Sequence, residues 1–148
     1  MSQMKSSTHR FMMALAALFL AAPSMPSRAE SPSYSANSKD QGITAFDLSA
    51  TEIRREANKS FLRVPGFGRR TAAGSRWLMC VYTDLASRRG FGYWVVVYPS
   101  QPDGDVVEVG FPQSSGEDVR KTLGEEFGGQ WALREPMSVA KFKATLCR

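Results

Sequence analysis

Gly92-Tyr93-Trp94-Val95-Val96-Val97-Tyr98-Pro99 is the stretch from which the fold is read. Its aromatic and β-branched residues, bounded by Gly92 and Pro99, describe a central β-strand. Asp103-Gly104 follows as a turn signal, and Val106 to Phe111 gives a second strand, antiparallel to the first. Beyond it, Ser114 and Glu117 have the spacing of a capping box, opening a helix with Val119, Leu123 and Phe127 at i, i+4 and i+8. Gly128-Gly129 ends that helix. Gln130 to Arg134 reads as a short strand, and Ser138 caps a last helix carrying Val139, Phe142 and Leu146 on one face.

Toward the N-terminus, Trp77, Leu78, Val81, Tyr82 and Leu85 share a helical face, and Gly90 stands where a left-handed C-cap belongs. The unbroken run Trp77 to Tyr82 also fits a buried strand; the spacing favours a helix over Ser75 to Arg89. Pro65-Gly66-Phe67-Gly68-Arg69-Arg70 is a loop. Before it, Ser49 and Glu52 suggest another capping box, and Ile53, Ala57 and Phe61 predict an amphipathic helix that stops before Pro65. Helices mixed with a hairpin make an α+β domain over residues 42–148, a small antiparallel sheet with helices packed on one face.

The segment Thr83-Asp84-Leu85-Ala86 through Gly90-Phe91-Gly92-Tyr93-Trp94-Val95-Val96-Val97 resembles a pattern in small exported bacterial proteins and lipoproteins of unknown function. In them a helix ends at Gly and an aromatic pair opens a Val-rich strand. The resemblance covers about fifteen residues of structural letters, on the scale of one helix end and one strand, and brings no activity and no site.

Residues 1–29 read as an address. Lys5 and Arg10 precede the uncharged run Phe11 to Ala22, and Ser27-Arg28-Ala29 places small residues ahead of a cut before Glu30. The apolar run reaches roughly 18 Å, short of the ~30 Å hydrocarbon core, so a signal peptide is expected rather than a membrane anchor. No Cys follows the run to accept a lipid. Residues 30–41, rich in Ser with Pro and Asn, are expected as a flexible tail. Cleavage removes the single His9 and three of the 19 basic residues, leaving 16 against 14 acidic, a net charge of +2. A mature chain without histidine excludes His-based nucleophile activation and His metal ligation. Export to the periplasm or beyond implies oxidising conditions, under which Cys80 and Cys147 pair in one disulfide; two separate buried thiols are the other reading.

Arg89-Gly90-Phe91-Gly92-Tyr93 matches the first five positions of the RNA-recognition signature, but Trp94 and Val96 break it, and nucleic acid is not expected as a partner. Gly66-Phe67-Gly68 lacks the third glycine of a dinucleotide fingerprint. Ser138-Val139-Ala140-Lys141 has the S-x-x-K spacing of penicillin-recognising enzymes without its companion motifs. No metal and no cofactor are expected. Asp103, Asp105 and Glu108 are candidate paired carboxylates for hydrolysis of envelope polysaccharide. Arg54, Arg55, Arg63, Arg69, Arg70 and Arg76, with Lys59 and opposed only by Glu56, form a basic stretch suited to an anionic partner or to a solvated face. The leading expectation is a non-enzymatic binding or accessory protein of the envelope, an inhibitor or immunity-type factor. Its partner would be an envelope or extracellular protein or a polyanion. A carboxylate-dependent hydrolase is the alternative.

Overall fold

The computed structural model describes residues 33–148; the expected signal peptide lies outside them. Six strands form one antiparallel sheet in the order β1-β2-β3-β5-β4-β6. They are β1 Ser35–Asn37, β2 Ser49–Arg55, β3 Lys59–Arg63, β4 Tyr93–Val97, β5 Val106–Gly110 and β6 Ala132–Ser138. The helices are α1 Ala72–Arg88, α2 Val119–Leu123 and α3 Val139–Thr145. The fold is α+β, with three helices on a six-stranded sheet and one disulfide. No helix among the described residues is long and apolar enough to cross a membrane.

The strand over Tyr93–Val97 lies where its letters place it, hydrogen-bonded to β5 on one side and β6 on the other. Trp94 and Val96 point toward α1, and Trp94 is fully buried. Its indole N–H donates to Thr83 Oγ1 at 3.0 Å, and its ring lies 5.4 Å from both Tyr82 and Phe142. The indole thus joins α1, α3 and the sheet at one point, with its polar edge satisfied. Val95 points to the opposite face, where Val119, Leu123 and Phe127 cover it. The two longer helices therefore share one face, while short α2 and the 3-10 turn after it cover part of the other.

Gly110 permits that second layer. A Cβ there would stand 2.6 Å from Leu123 Cδ1 and 2.8 Å from the Phe127 ring. Gly110→Ala is expected to cost about 1–3 kcal/mol through overpacking, measured as a lower urea midpoint with unchanged slope.

Ser75 to Arg89 is helical, as the spacing favours, although α1 begins earlier, at a cap where Thr71 Oγ1 accepts from the Gly74 N–H. Gly90 takes φ 82°, the left-handed stop. Ser138 caps α3 through the Lys141 N–H, which accounts for its S-x-x-K spacing. In the five-residue α2, Asp118 rather than Ser114 is the cap, and Gly124 at φ 138° ends it early. Val119, Leu123 and Phe127 nevertheless share one buried cluster.

Two further expectations are corrected. Ser49 to Phe61 is not a helix but the hairpin β2–β3, closed by Glu56 N–H donating to the Lys59 carbonyl at 2.9 Å. Ile53 and Ala57 are exposed, whereas Ala50, Glu52, Ser60 and Leu62 are buried. The burial thus follows a period of two along each strand. Nor is the described part of residues 30–41 a flexible tail. Tyr34 is buried, β1 pairs with β2, and Ser38 Oγ accepts from the Leu48 N–H while donating to the Phe46 carbonyl.

Cys80 and Cys147 form the disulfide, with Cα atoms 5.4 Å apart, tying α1 to the residues after α3. Both half-cystines are half-buried.

Candidate functional site: a basic groove beside α1

The six arginines of the basic stretch do not form one patch. Arg54 lies over the Phe61 ring at 3.6 Å, with Nε 3.5 Å from Glu56. Arg63 faces Asp105 at 3.6 Å. Arg55 binds the carboxylate of Glu52, whose side chain is only 2% exposed. Burial alone would raise the Glu52 pKa, but bonds from Arg55, Ser60 and the Tyr34 N–H hold it below the usual carboxylate range. These three arginines are neutralised by carboxylates of the β2–β3 hairpin and of the loop before β5.

Arg69, Arg70 and Arg76 differ. None has a carboxylate within ion-pair distance among the described residues. All three lie where α1 and the loop before it meet the segment 41–48. Arg70 is held by donating to the Phe67 carbonyl at 2.7 Å and stacking 3.7 Å above the Phe67 ring. Arg69 and Arg76 are exposed.

The facing wall is the 41–48 segment, fixed at both ends. Ser38 anchors Phe46 and Leu48, Lys39 pairs with Asp47 at 2.6 Å, and Gln41 Oε1 accepts from the Trp77 indole at 2.8 Å. Two cavities result, with Phe46 as a wall of each. One of about 460 Å³ has Arg69 and Arg70 beside Pro65 and Gly66. The other, about 370 Å³, carries Arg76 over an apolar surface of Ile43, Phe46, Trp77, Leu146 and the disulfide. Phe46 meets Trp77 edge-on at 6.2 Å. The arrangement can hold anionic groups beside an apolar surface.

The candidate carboxylates separate. Asp103 and Asp105 flank the turn glycine Gly104, and Asp105 faces Arg63. Glu108 projects from the other face of β5, where Lys59 Nζ lies 3.0 Å from it and 3.1 Å from Glu126. Burial pushes the Glu108 pKa up, partly offset by Lys59; burial acts upward on Glu126 too, but hydrogen bonds and Lys59 together hold it below the usual carboxylate range. Among the described residues Glu108 and Glu126 are thus two carboxylates gathered on one cation, Lys59. Phe91 of the RNA-like signature is stacked on Phe111 at 4.8 Å and packed against the core.

Sequence reasoning missed Phe46, because it lies in a segment without periodicity. It also missed the partners Arg88 and Arg89, which with Arg55 line a second cleft of about 480 Å³ at the far end of α1. Arg89 there bonds the carbonyls of Glu56, Ala57 and Lys59 and the hydroxyl of Ser60, fastening the helix end to the β2–β3 turn. The chain matches no protein-family model, no curated protein and no solved structure.

Proposed function

We propose that the protein is an exported, non-enzymatic binding or accessory protein of the bacterial envelope, an inhibitor or immunity-type factor, that engages an anionic partner through the groove beside α1. One observation carries the reading: of six candidate arginines, the three without an ion-pair partner among the described residues are the three gathered on that groove. Unpaired guanidinium groups beside a concave surface offer charge-assisted, bidentate hydrogen bonds to carboxylates or phosphates. The paired ones on the sheet are neutralised already.

Binding of polyglutamate at low salt tests this. The double variant Arg69→Glu/Arg76→Glu is expected to weaken it by about tenfold or more, as like-charge juxtaposition does at interfaces. Arg54→Glu/Arg63→Glu, on the opposite face, is expected to change it little. Equal losses in both double variants would reduce the reading to general basicity.

A second reading, a carboxylate-dependent hydrolase of envelope polysaccharide, is favoured by one feature. Glu108 and Glu126 share Lys59 and have pKa values pushed apart, as an acid–base pair requires. Turnover of purified envelope polysaccharide that vanishes in Glu108→Gln would replace the binding reading with this one.

A further inference from the structure

We infer that the Cys80–Cys147 bridge is a thiol-responsive latch on the groove. A dithiol reduces it in the folded protein, and reduction opens the cavity that carries Arg76 while leaving the one that carries Arg69 and Arg70. The inference rests on the anion-binding reading above and adds a control to it.

Cys80 and Cys147 line the Arg76 cavity together, and both also line a smaller one of about 170 Å³ with Tyr34 and Asp84. Both are half-buried rather than sealed in the core, so a reagent reaches the bridge without unfolding of the sheet. The Arg76 side is the wider, about 370 Å³, and its guanidinium favours the thiolate, the form that attacks. The thiolate attacks Cys147 Sγ, the S–S bond breaks, and its electron pair leaves on Cys80 Sγ, which takes up a proton. The second thiol of the reductant gives up its proton and attacks the mixed disulfide, releasing the Cys147 thiolate, which is protonated in turn. The reductant leaves as a disulfide, and two electrons and two protons have passed to the protein.

Leu146, Cys147 and Arg148 line the Arg76 cavity. Among the described residues, their hydrogen bonds all end on Phe142 and Ala144 of α3, so the bridge is their tie to α1. The facing segment 41–48 is held by Ser38, Lys39 and Trp77, whose contacts with it do not pass through the bridge. No residue of α3, or after it, lines the cavity of Arg69 and Arg70. Reduction therefore strips one wall from one half of the groove. Because the coupling is reciprocal, an anion bound in the closed groove protects the bridge by the factor that reduction costs in affinity.

The test treats the full exported chain with dithiothreitol and follows three readouts. Below the unfolding transition the rate of reduction is expected to be nearly independent of urea. A rate that rises with urea as steeply as global unfolding does would overturn the latch, since the bridge would then react only in the unfolded chain. Reduction is expected to weaken polyglutamate binding at low salt by about fivefold or more, the lower range of coupling between linked sites, and saturating polyglutamate to shift the reduction equilibrium by the same factor. Amide exchange of the reduced protein is expected to accelerate over residues 139–148 while β4 and β5 stay protected. Loss of protection across the sheet would overturn the latch, because reduction would then unfold the domain rather than open a cavity. If reduction leaves polyglutamate binding unchanged while Arg69→Glu/Arg76→Glu weakens it, the latch is wrong and the anionic groove stands. If that double variant binds as tightly as the wild type in the oxidised state, the groove itself falls, and the latch with it.

Discussion

Replacing Cys147 with Ser is expected to lower the unfolding free energy by about 2–5 kcal/mol. The bridge spans 67 residues, and closing a loop of that length is worth roughly 4 kcal/mol in the chain-entropy model. Within that loop lie β4, β5, α2, β6 and α3, half of the sheet. Helix α3 has little else to hold it. It is seven residues long, Val139 is its one buried residue, and Phe142 reaches the Trp94 ring edge-on. Isolated helices that short are not stable in water. Amide exchange over residues 139–147 is therefore expected to accelerate in the variant before that of α1 does. Equal acceleration throughout would show that the bridge acts on the whole fold rather than on its last element. Thiol titration of the native protein should find no free cysteine, and two per chain would remove the basis of the prediction.

Glu52→Ala is expected to cost about 3 kcal/mol. The carboxylate accepts from the Tyr34 N–H at 3.1 Å, from Ser60 Oγ, and from two nitrogens of Arg55. Its loss leaves the Ser60 hydroxyl and the Tyr34 N–H as buried donors without this acceptor. The pH dependence follows from the depressed pKa. An ordinary Glu titrates near pH 4.3, and Glu52 in the folded chain titrates lower. Its contribution is therefore complete above about pH 4.3 and is lost as the pH falls through the folded value. Wild type and Glu52→Gln, compared by urea titration across that range, should differ most near neutrality and converge in acid. A constant difference would show that the charge of Glu52 contributes nothing.

What could be read from the letters depended on whether one pattern fitted a segment or two. Tyr93–Val97 is short, β-branched and bounded by Gly92, and only a strand fits it. Ser49–Phe61 fits both periods. Its Ile53, Ala57 and Phe61 have helical spacing, but the hairpin buries Glu52 and Ser60 instead, two polar residues that no apolar pattern reveals. Their pairing across the hairpin, completed by Arg55 and by Arg89 from α1, is a contact between distant positions and has no local signature. The groove shows the same division. Its arginines stood out as a run of charge, yet which of them lack a partner depends on where Glu52, Glu56 and Asp105 fall in the sheet. Phe46 became visible only once Ser38 and Asp47 were seen to fix its loop.

The strand order has a consequence for synthesis. β3 pairs with β5, across the whole of α1 and β4, so the middle of the sheet joins residues 59–63 to residues 106–110. A chain emerging from the ribosome has its first three strands complete long before Gly110 arrives. During that interval β3 is an unpaired edge displaying Phe61 and Leu62, the kind of segment that seeds aggregation. The charges of Arg54, Arg55, Lys59 and Arg63 crowd that same hairpin. Against Glu52 and Glu56 these four leave residues 49–63 with a net charge of +2, which opposes edge-to-edge pairing of unfolded chains.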